Sequence, residues 1–223
     1  MSGQEEIVEV QSSVLGTKEH WDDCYDREIE CFDESGGDDV GEIWFGKSCL
    51  KAMTKEISQL SELNKETSKI IDLGCGNGMT LIELYKLGFR NLYGSDYSQK
   101  AIDLAEKIAQ HHEYSINYFV DDITQLNGEQ GEYDAVLDKG TFDAIALSEN
   151  RDEMKALYKK YVEKVLKDQG LFIITSCNYT QNELTTYFPS SNFQYIKNVQ
   201  YPVFKFGGSK GTSQTTIIFK YIR

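Results

Sequence analysis

Apolar residues recur along this chain in two rhythms. Short, nearly continuous apolar runs stand at 69–73 (KIIDL), 91–95 (NLYGS), 116–120 (INYFV), 133–137 (YDAVL), 171–175 (LFIIT), 193–200 and 215–222. Each has the length of a buried strand. Between them the spacing turns helical. Residues 80–86 read as a helix stopped by Gly88, and Ser98 suits the cap of a helix running to about residue 110. The stretch 151–167 puts Met154, Leu157, Tyr158, Tyr161, Val162, Val165 and Leu166 on one long apolar face. Strands alternating with helices predict an α/β fold built on a doubly wound, mostly parallel sheet. The last two strand signals have no helix between them. They are expected to form a terminal hairpin that adds an antiparallel strand to a seven-stranded sheet. There is no internal repeat and no low-complexity segment.

The N-terminal part is different. Trp21, Tyr25, Ile29 and Phe32 follow i, i+4, i+8, i+11 spacing, one face of a helix, which ESGGDD at 34–39 breaks. Residues 1–12 read as disordered. Residues 1–43 hold 14 acidic and 2 basic residues, a balance of −12, whereas the other 180 hold 22 and 21, a balance of −1. The expected organisation is an acidic, partly disordered arm over 1–43 and one domain over 44–223. Such an arm repels phosphate backbones, so nucleic acid is an unsuitable partner, whereas a basic protein is a suitable one.

Composition narrows the class further. At 223 residues and 40% apolar content, the chain can bury a full core. It has no apolar run of 18 residues and no apolar leader, so neither membrane insertion nor secretion is expected. The five cysteines, Cys24, Cys31, Cys49, Cys75 and Cys177, include no CxxC pair, which points to free thiols, no metal centre and a cytoplasmic setting. Nothing in the sequence asks for a second copy, and a monomer is expected.

The chemistry concentrates at IIDLGCGNG, residues 70–78. A buried strand runs through Asp72 into Gly74, Gly76 and Gly78 and then a helix. In an open parallel sheet, ligands bind beyond the carboxyl ends of the strands. The spacing is GxGxG rather than the GxGxxG of a dinucleotide fingerprint, and there is no P-loop. Asp72, two residues before the first glycine, would repel phosphate and favour a cationic amine. S-adenosylmethionine fits: it carries an ammonium, a sulfonium, a ribose and an adenine, and no phosphate. Asp96 closes the second strand, 24 residues after Asp72, where an acid accepts ribose hydroxyls. After the third strand, Asp122 can accept from the adenine amino group and the backbone N–H of Ile123 can donate to the ring, with Asp121 a competitor for Asp122.

These motifs resemble those of class I, seven-strand S-adenosylmethionine-dependent methyltransferases, from about Lys69 to the C-terminus. Four strings narrow the resemblance: VLGTKEHWDDCYDRE (14–28), DDVGEIWFG (38–46), LDKGTFDAI (137–145) and TSCNYTQNEL (175–184). Together they look like the elongation factor 1-alpha lysine methyltransferases of the methyltransferase-like protein 10 type. The resemblance implies a Rossmann-like fold, S-adenosyl-L-methionine as cofactor and elongation factor 1-alpha, a basic protein, as substrate. It implies that Asp72, Gly74, Gly76 and Gly78 hold the methionine part, Asp96 the ribose, and Asp122 and Ile123 the adenine. Cys75 and Tyr97 fall in the same turns, Asp138 lies near the sulfonium, and Trp44 and Phe45 belong to a lid.

The amine pocket is expected from Asp138, Phe142, Asn178 and Tyr179. His20, His111 and His112 are expected to be solvated. The Asn/Asp-Pro-Pro-aromatic turn typical of base methylation is missing after the fourth strand, where the chain has Asp138-Lys139-Gly140-Thr141-Phe142. Two other readings share these motifs: a small-molecule methyltransferase and a non-catalytic cofactor-binding module.

Overall fold

A computed structural model describes residues 12–126, 132–188, 192–201, 204–206, 209–211 and 214–223. The stretch expected to be disordered at the N-terminus lies, up to residue 11, outside them, as do Pro189 and Pro202. Seven strands form one sheet in the order β3-β2-β1-β4-β5-β9-β6. Five of them run parallel: β1 (Ile70–Leu73), β2 (Leu92–Asp96), β3 (Asn117–Val120), β4 (Tyr133–Lys139) and β5 (Leu166–Ser176). β9 (Thr215–Tyr221) lies antiparallel between β5 and β6 (Phe193–Asn198). The expected antiparallel strand is therefore present. A separate ribbon of β7 (Phe204–Phe206) and β8 (Ser209–Gly211) interrupts the hairpin connection.

Strand alternation divides the core into two layers. Ile70, Ala135, Leu137, Leu171, Ile173 and Ile218 point to one face and meet α2 (Gly46–Ile57) and α3 (Met79–Lys86) through Leu50, Met53, Ile57, Leu81 and Leu84. Ile71, Leu73, Val136, Phe172, Ile174, Ile217 and Phe219 point to the other. There they meet α6 (Arg151–Val165) and α7 (Gln181–Tyr187) through Tyr158, Tyr161, Val162, Leu184 and Phe188. Each fully buried large side chain contributes about 1.5–3 kcal/mol. α2 was not among the expected elements, although Cys49, Leu50, Met53, Thr54 and Ile57 carry its buried face.

α1 (Lys18–Glu34), in the acidic N-terminal stretch, packs onto α4 (Gln99–His111). Thr17 caps it, accepting from the His20 backbone N–H. Phe32 joins Ile82, Leu104 and Ile108 in a third apolar cluster, with Tyr25 and Ile29 against it. Acids of α1 face lysines of α4: Asp26 pairs with Lys100 at 2.7 Å and Asp33 with Lys107 at 2.5 Å. Exposed pairs of this kind contribute little, so the apolar seam carries the docking. From Ser12 onward the N-terminal stretch is thus built onto the sheet-and-helix body.

Strand order reverses between β1 and β4. β2 and β3 extend one way from β1, and β4 and β5 the other. The carboxyl ends of β1 and β4 therefore frame the crevice where open α/β sheets bind ligands.

Candidate active site

A cavity of about 420 Å³ opens at that crevice, with α1 as its outer wall. Its floor is the turn after β1. Cys75 N–H donates to the Ser95 carbonyl at 2.9 Å, and Gly76 N–H donates to Asp96 Oδ2 at 3.1 Å, so the turn is tied to the end of β2. Gly74 (φ 64°) and Gly76 (φ 52°) take left-handed backbone. A Cβ at Gly74 would overlap Thr141, whose hydroxyl donates to the Leu73 carbonyl at 2.7 Å. A Cβ at Gly76 would press on the Tyr25 hydroxyl. The turn thus lets backbone form the cavity surface where side chains have no room.

Two buried acids stand at the floor. Asp96 accepts from Gly76 N–H and, through Oδ1, from Ser98 N–H at 3.0 Å; burial pushes it up to about 6 against those two bonds. Asp72 lies just beneath the turn, 2% exposed, and burial pushes it up to about 7 although Lys139 and Thr80 oppose the shift. Its Oδ1 has no hydrogen-bond partner among the described residues. On the far side, Asp122 is held in its own turn, Oδ1 accepting from Thr124 N–H at 3.0 Å and from its hydroxyl at 2.6 Å. Asp121 instead takes the Tyr161 hydroxyl through its Oδ2.

Aromatic rings make the wall. Trp21 and Trp44 lie 4.9 Å apart, Trp21 and Tyr25 lie 6.0 Å apart, and Trp44 packs beside Phe45 at 6.0 Å. Trp21 Nε1 donates to the Leu15 carbonyl at 2.9 Å, which fixes the ring. Lys139, just past Asp138, lines the cavity and donates to the Trp44 carbonyl at 3.4 Å; burial pushes its ammonium down. Glu28 lines the outer rim, its Oε1 accepting from Glu42 N–H at 2.8 Å, and burial raises it.

Of the residues anticipated for the cofactor, Gly74, Cys75, Gly76, Asp96, Tyr97, Asp122, Ile123 and Trp44 all line this one cavity. Asp72 and Gly78 lie behind the turn. Asp138 does not reach the cavity. Its Oδ1 accepts from Thr141 N–H at 3.1 Å, and its Oδ2 from Phe142 N–H at 2.9 Å and the Tyr158 hydroxyl at 2.6 Å. It therefore serves the first turn of α5 (Thr141–Ile145), and the alternation of β4 turns Lys139 to the cavity in its place. Phe142 is 1% exposed and packs among Tyr158, Tyr179, Tyr187 and Phe188. Asn178 and Tyr179 line a different depression beyond β5. Of the histidines, His20 lines the cavity, with Nε2 3.6 Å from Cys24 Sγ. Trp21, Tyr25, Glu28 and Lys139 were not anticipated for the site. The Trp21–Tyr25 spacing betrayed a helix face without showing what it covers.

The cavity suits a cationic nucleoside. Glu28, Glu42, Asp96, Asp121 and Asp122 line it against Lys18 and Lys139, a balance hostile to polyphosphate and favourable to a sulfonium. The unpartnered Asp72 Oδ1 marks demand for a donor at the same end. No group of acids, cysteines and histidines able to hold a metal occurs among the described residues.

Comparison with known proteins agrees. The family described as "Methyltransferase domain" matches residues 64–212. The chain is 42% identical over 211 residues to "EEF1A lysine methyltransferase 2" of Danio rerio, covering 93% of this chain and 88% of that one. It is 38% identical over 224 residues to "Protein-lysine N-methyltransferase EFM4" of Saccharomyces cerevisiae, covering 95% and 96%. Its fold matches a solved S-adenosylmethionine-dependent methyltransferase of Clostridium acetobutylicum at 17% identity with a TM-score of 0.62, covering 90% of this chain and 100% of that one. Sheet order, glycine turn and cavity define a class I methyltransferase that uses S-adenosyl-L-methionine. The chain belongs, within that class, to the protein-lysine N-methyltransferase family that contains these two curated relatives.

Proposed function

We propose that this enzyme methylates the ε-amine of a lysine in translation elongation factor 1-alpha. The observation that carries the reading is the aromatic wall of Trp21, Tyr25 and Trp44 over the glycine turn and Asp96, in a chain that matches the elongation-factor enzymes over nearly its whole length. The names of those relatives supply the substrate. The aromatic wall supports an amine as the acceptor.

When bound, S-adenosylmethionine supplies an electrophilic methyl on a sulfonium. Asp96 would hold the ribose hydroxyls, Asp122 and Ile123 the adenine, and the Gly74–Gly76 turn the methionine part, with Asp72 below it. The incoming lysine must lose a proton, a deficit of about 4–5 kcal/mol at neutral pH for a free side chain. The Trp21 and Trp44 rings remove water from the ammonium and thereby favour the neutral amine. The proton leaves to solvent, and no dedicated base is assigned. Asp138 acts only at one remove, by fixing the start of α5 beside Lys139 and Gly140. The enzyme is proposed to act as a monomer. A translation factor as substrate supports a cytoplasmic setting, and the acidic balance speaks against nucleic acid as a partner.

Transfer of labelled methyl to purified elongation factor 1-alpha and to a cytosolic extract tests the reading, with Asp96→Ala as control. A single labelled band at the elongation factor, absent with the variant, is the expected result. Labelling of other proteins or of small molecules alone would remove the substrate.

A further inference from the structure

A second depression lies beyond β5, and its lining differs from the first. Ser176, Asn178, Gln181, Asn198, Gln200 and Thr215 contribute to it, and none of the described residues that line it carries a charge. In a chain that is 26% charged, that is a departure. Its amides are already ordered against one another. Gln200 Nε2 donates to Asn198 Oδ1 at 3.1 Å, and Asn198 Nδ2 donates to Gln181 Oε1 at 2.9 Å. The loop at its edge is pinned from inside: buried Asp143 accepts from the Ser176 hydroxyl at 2.5 Å and from Cys177 N–H at 2.8 Å.

The position matters as much as the lining. Lys139 sits opposite Thr175 in the β4–β5 register, and Gly140 N–H donates to the Thr175 carbonyl at 3.0 Å. Lys139 and Gly140 line the first cavity, and Ser176 lines the second depression. Neighbouring strands lie about 4.8 Å apart, so the two rims adjoin. Each amide side chain offers a donor and an acceptor, the complement of a peptide group.

We propose that this depression seats an extended segment of the substrate polypeptide, gripping its main chain through Asn198, Gln200 and Gln181 while the lysine passes over the Lys139–Gly140 rim into the cavity. The inference rests on the reading of a protein-lysine substrate. It adds a recognition surface made of neutral amides, distinct from any charged contact.

The test is the double variant Asn198→Ala/Gln200→Ala, both side chains lying away from the core. The KM for elongation factor 1-alpha is expected to rise about tenfold, more than kcat falls, as for loss of two hydrogen-bonding groups. Affinity for S-adenosylhomocysteine should hold. On the parent enzyme, hydrogen exchange should slow over 176–181 and 196–201 when the elongation factor is added. Labelling of the elongation factor by the parent, with KM unmoved in the variant and no protection of those segments, overturns the proposal and leaves the substrate intact. If the parent labels a different protein, the substrate reading fails and the same KM comparison on that protein decides the groove. Labelling of small molecules alone overturns both.

Discussion

Asp96 joins three things: the end of β2, the glycine turn and the open cavity. Its two backbone donors fix its position, while burial leaves it short of solvent. A ligand hydroxyl facing it gains a charged acceptor, which is worth about 1.5–3 kcal/mol. Asp96→Asn should therefore weaken S-adenosylhomocysteine binding about 10- to 100-fold, measurable by calorimetry. Asp72 makes a different case. Burial raises it to about 7 in the folded chain against an ordinary value of 3.8. A group raised on folding contributes stability that is complete below its unfolded pKa and lost as pH rises through the folded one. At about pH 8 the Asp72 charge thus opposes folding of the unliganded protein. Asp72→Asn should raise its Tm there, and the gain should shrink toward about pH 5, where the parent is protonated. The same variant should bind S-adenosylhomocysteine more weakly, as the role proposed for Asp72 beneath the methionine part requires. A lower Tm at the alkaline end would show that the Lys139 and Thr80 contacts outweigh the desolvation.

At the scale of elements, α1 does two jobs with one face. Its Ile29 and Phe32 end is sealed on α3 and α4, and its Trp21 and Tyr25 end walls the cavity. Phe32→Ala should cost about 3–5 kcal/mol in denaturant unfolding, since the ring is nearly sealed among Ile82, Leu104 and Ile108. Trp21→Ala should leave most of that stability and instead weaken S-adenosylhomocysteine binding, read by the same titration. The i, i+4, i+8, i+11 spacing made this helix legible, but periodicity does not say against what a face packs. Charge then set residues 1–43 apart as an acidic arm, because the acids of α1 stand far in sequence from Lys100 and Lys107, which meet two of them. The strands were legible because each is a short apolar run with turn signals. The placing of β9 between β5 and β6 was not, since either order buries the same side chains. The turn at Gly74 and Gly76 and the acid at Asp96 could be read because backbone conformation and strand ends limit the residue type. The amine side could not. Asp138 and Lys139 are adjacent in a strand, so one of them must turn away from the cavity, and only the packing of Tyr158 against Asp138 decides which.

Over the whole molecule, the charge is the least symmetric property. Residues 1–43 carry −12 of the net −13. Pairing with α4 consumes Asp26 and Asp33, while Glu19, Asp23, Glu30 and Glu34 of α1 are exposed. Exposed charges add little to stability, but their summed field extends about a Debye length, roughly 8 Å at physiological salt. A field of that sign, on the helix that walls the cavity, attracts a basic protein toward the catalytic face and raises its rate of encounter. The cavity floor is made of buried groups such as Asp96, whose charge salt screens far less. The two steps should therefore separate with ionic strength. The kcat/KM for elongation factor 1-alpha should fall steadily as salt is raised, while the Kd for S-adenosylhomocysteine stays nearly flat. Reversing Glu19, Asp23 and Glu30 to lysine should lower kcat/KM about tenfold at low salt and remove most of its salt dependence. If kcat/KM is instead indifferent to salt in the parent, the acidic stretch does not steer substrate, and recognition rests on short-range contacts at the cavity and beyond β5.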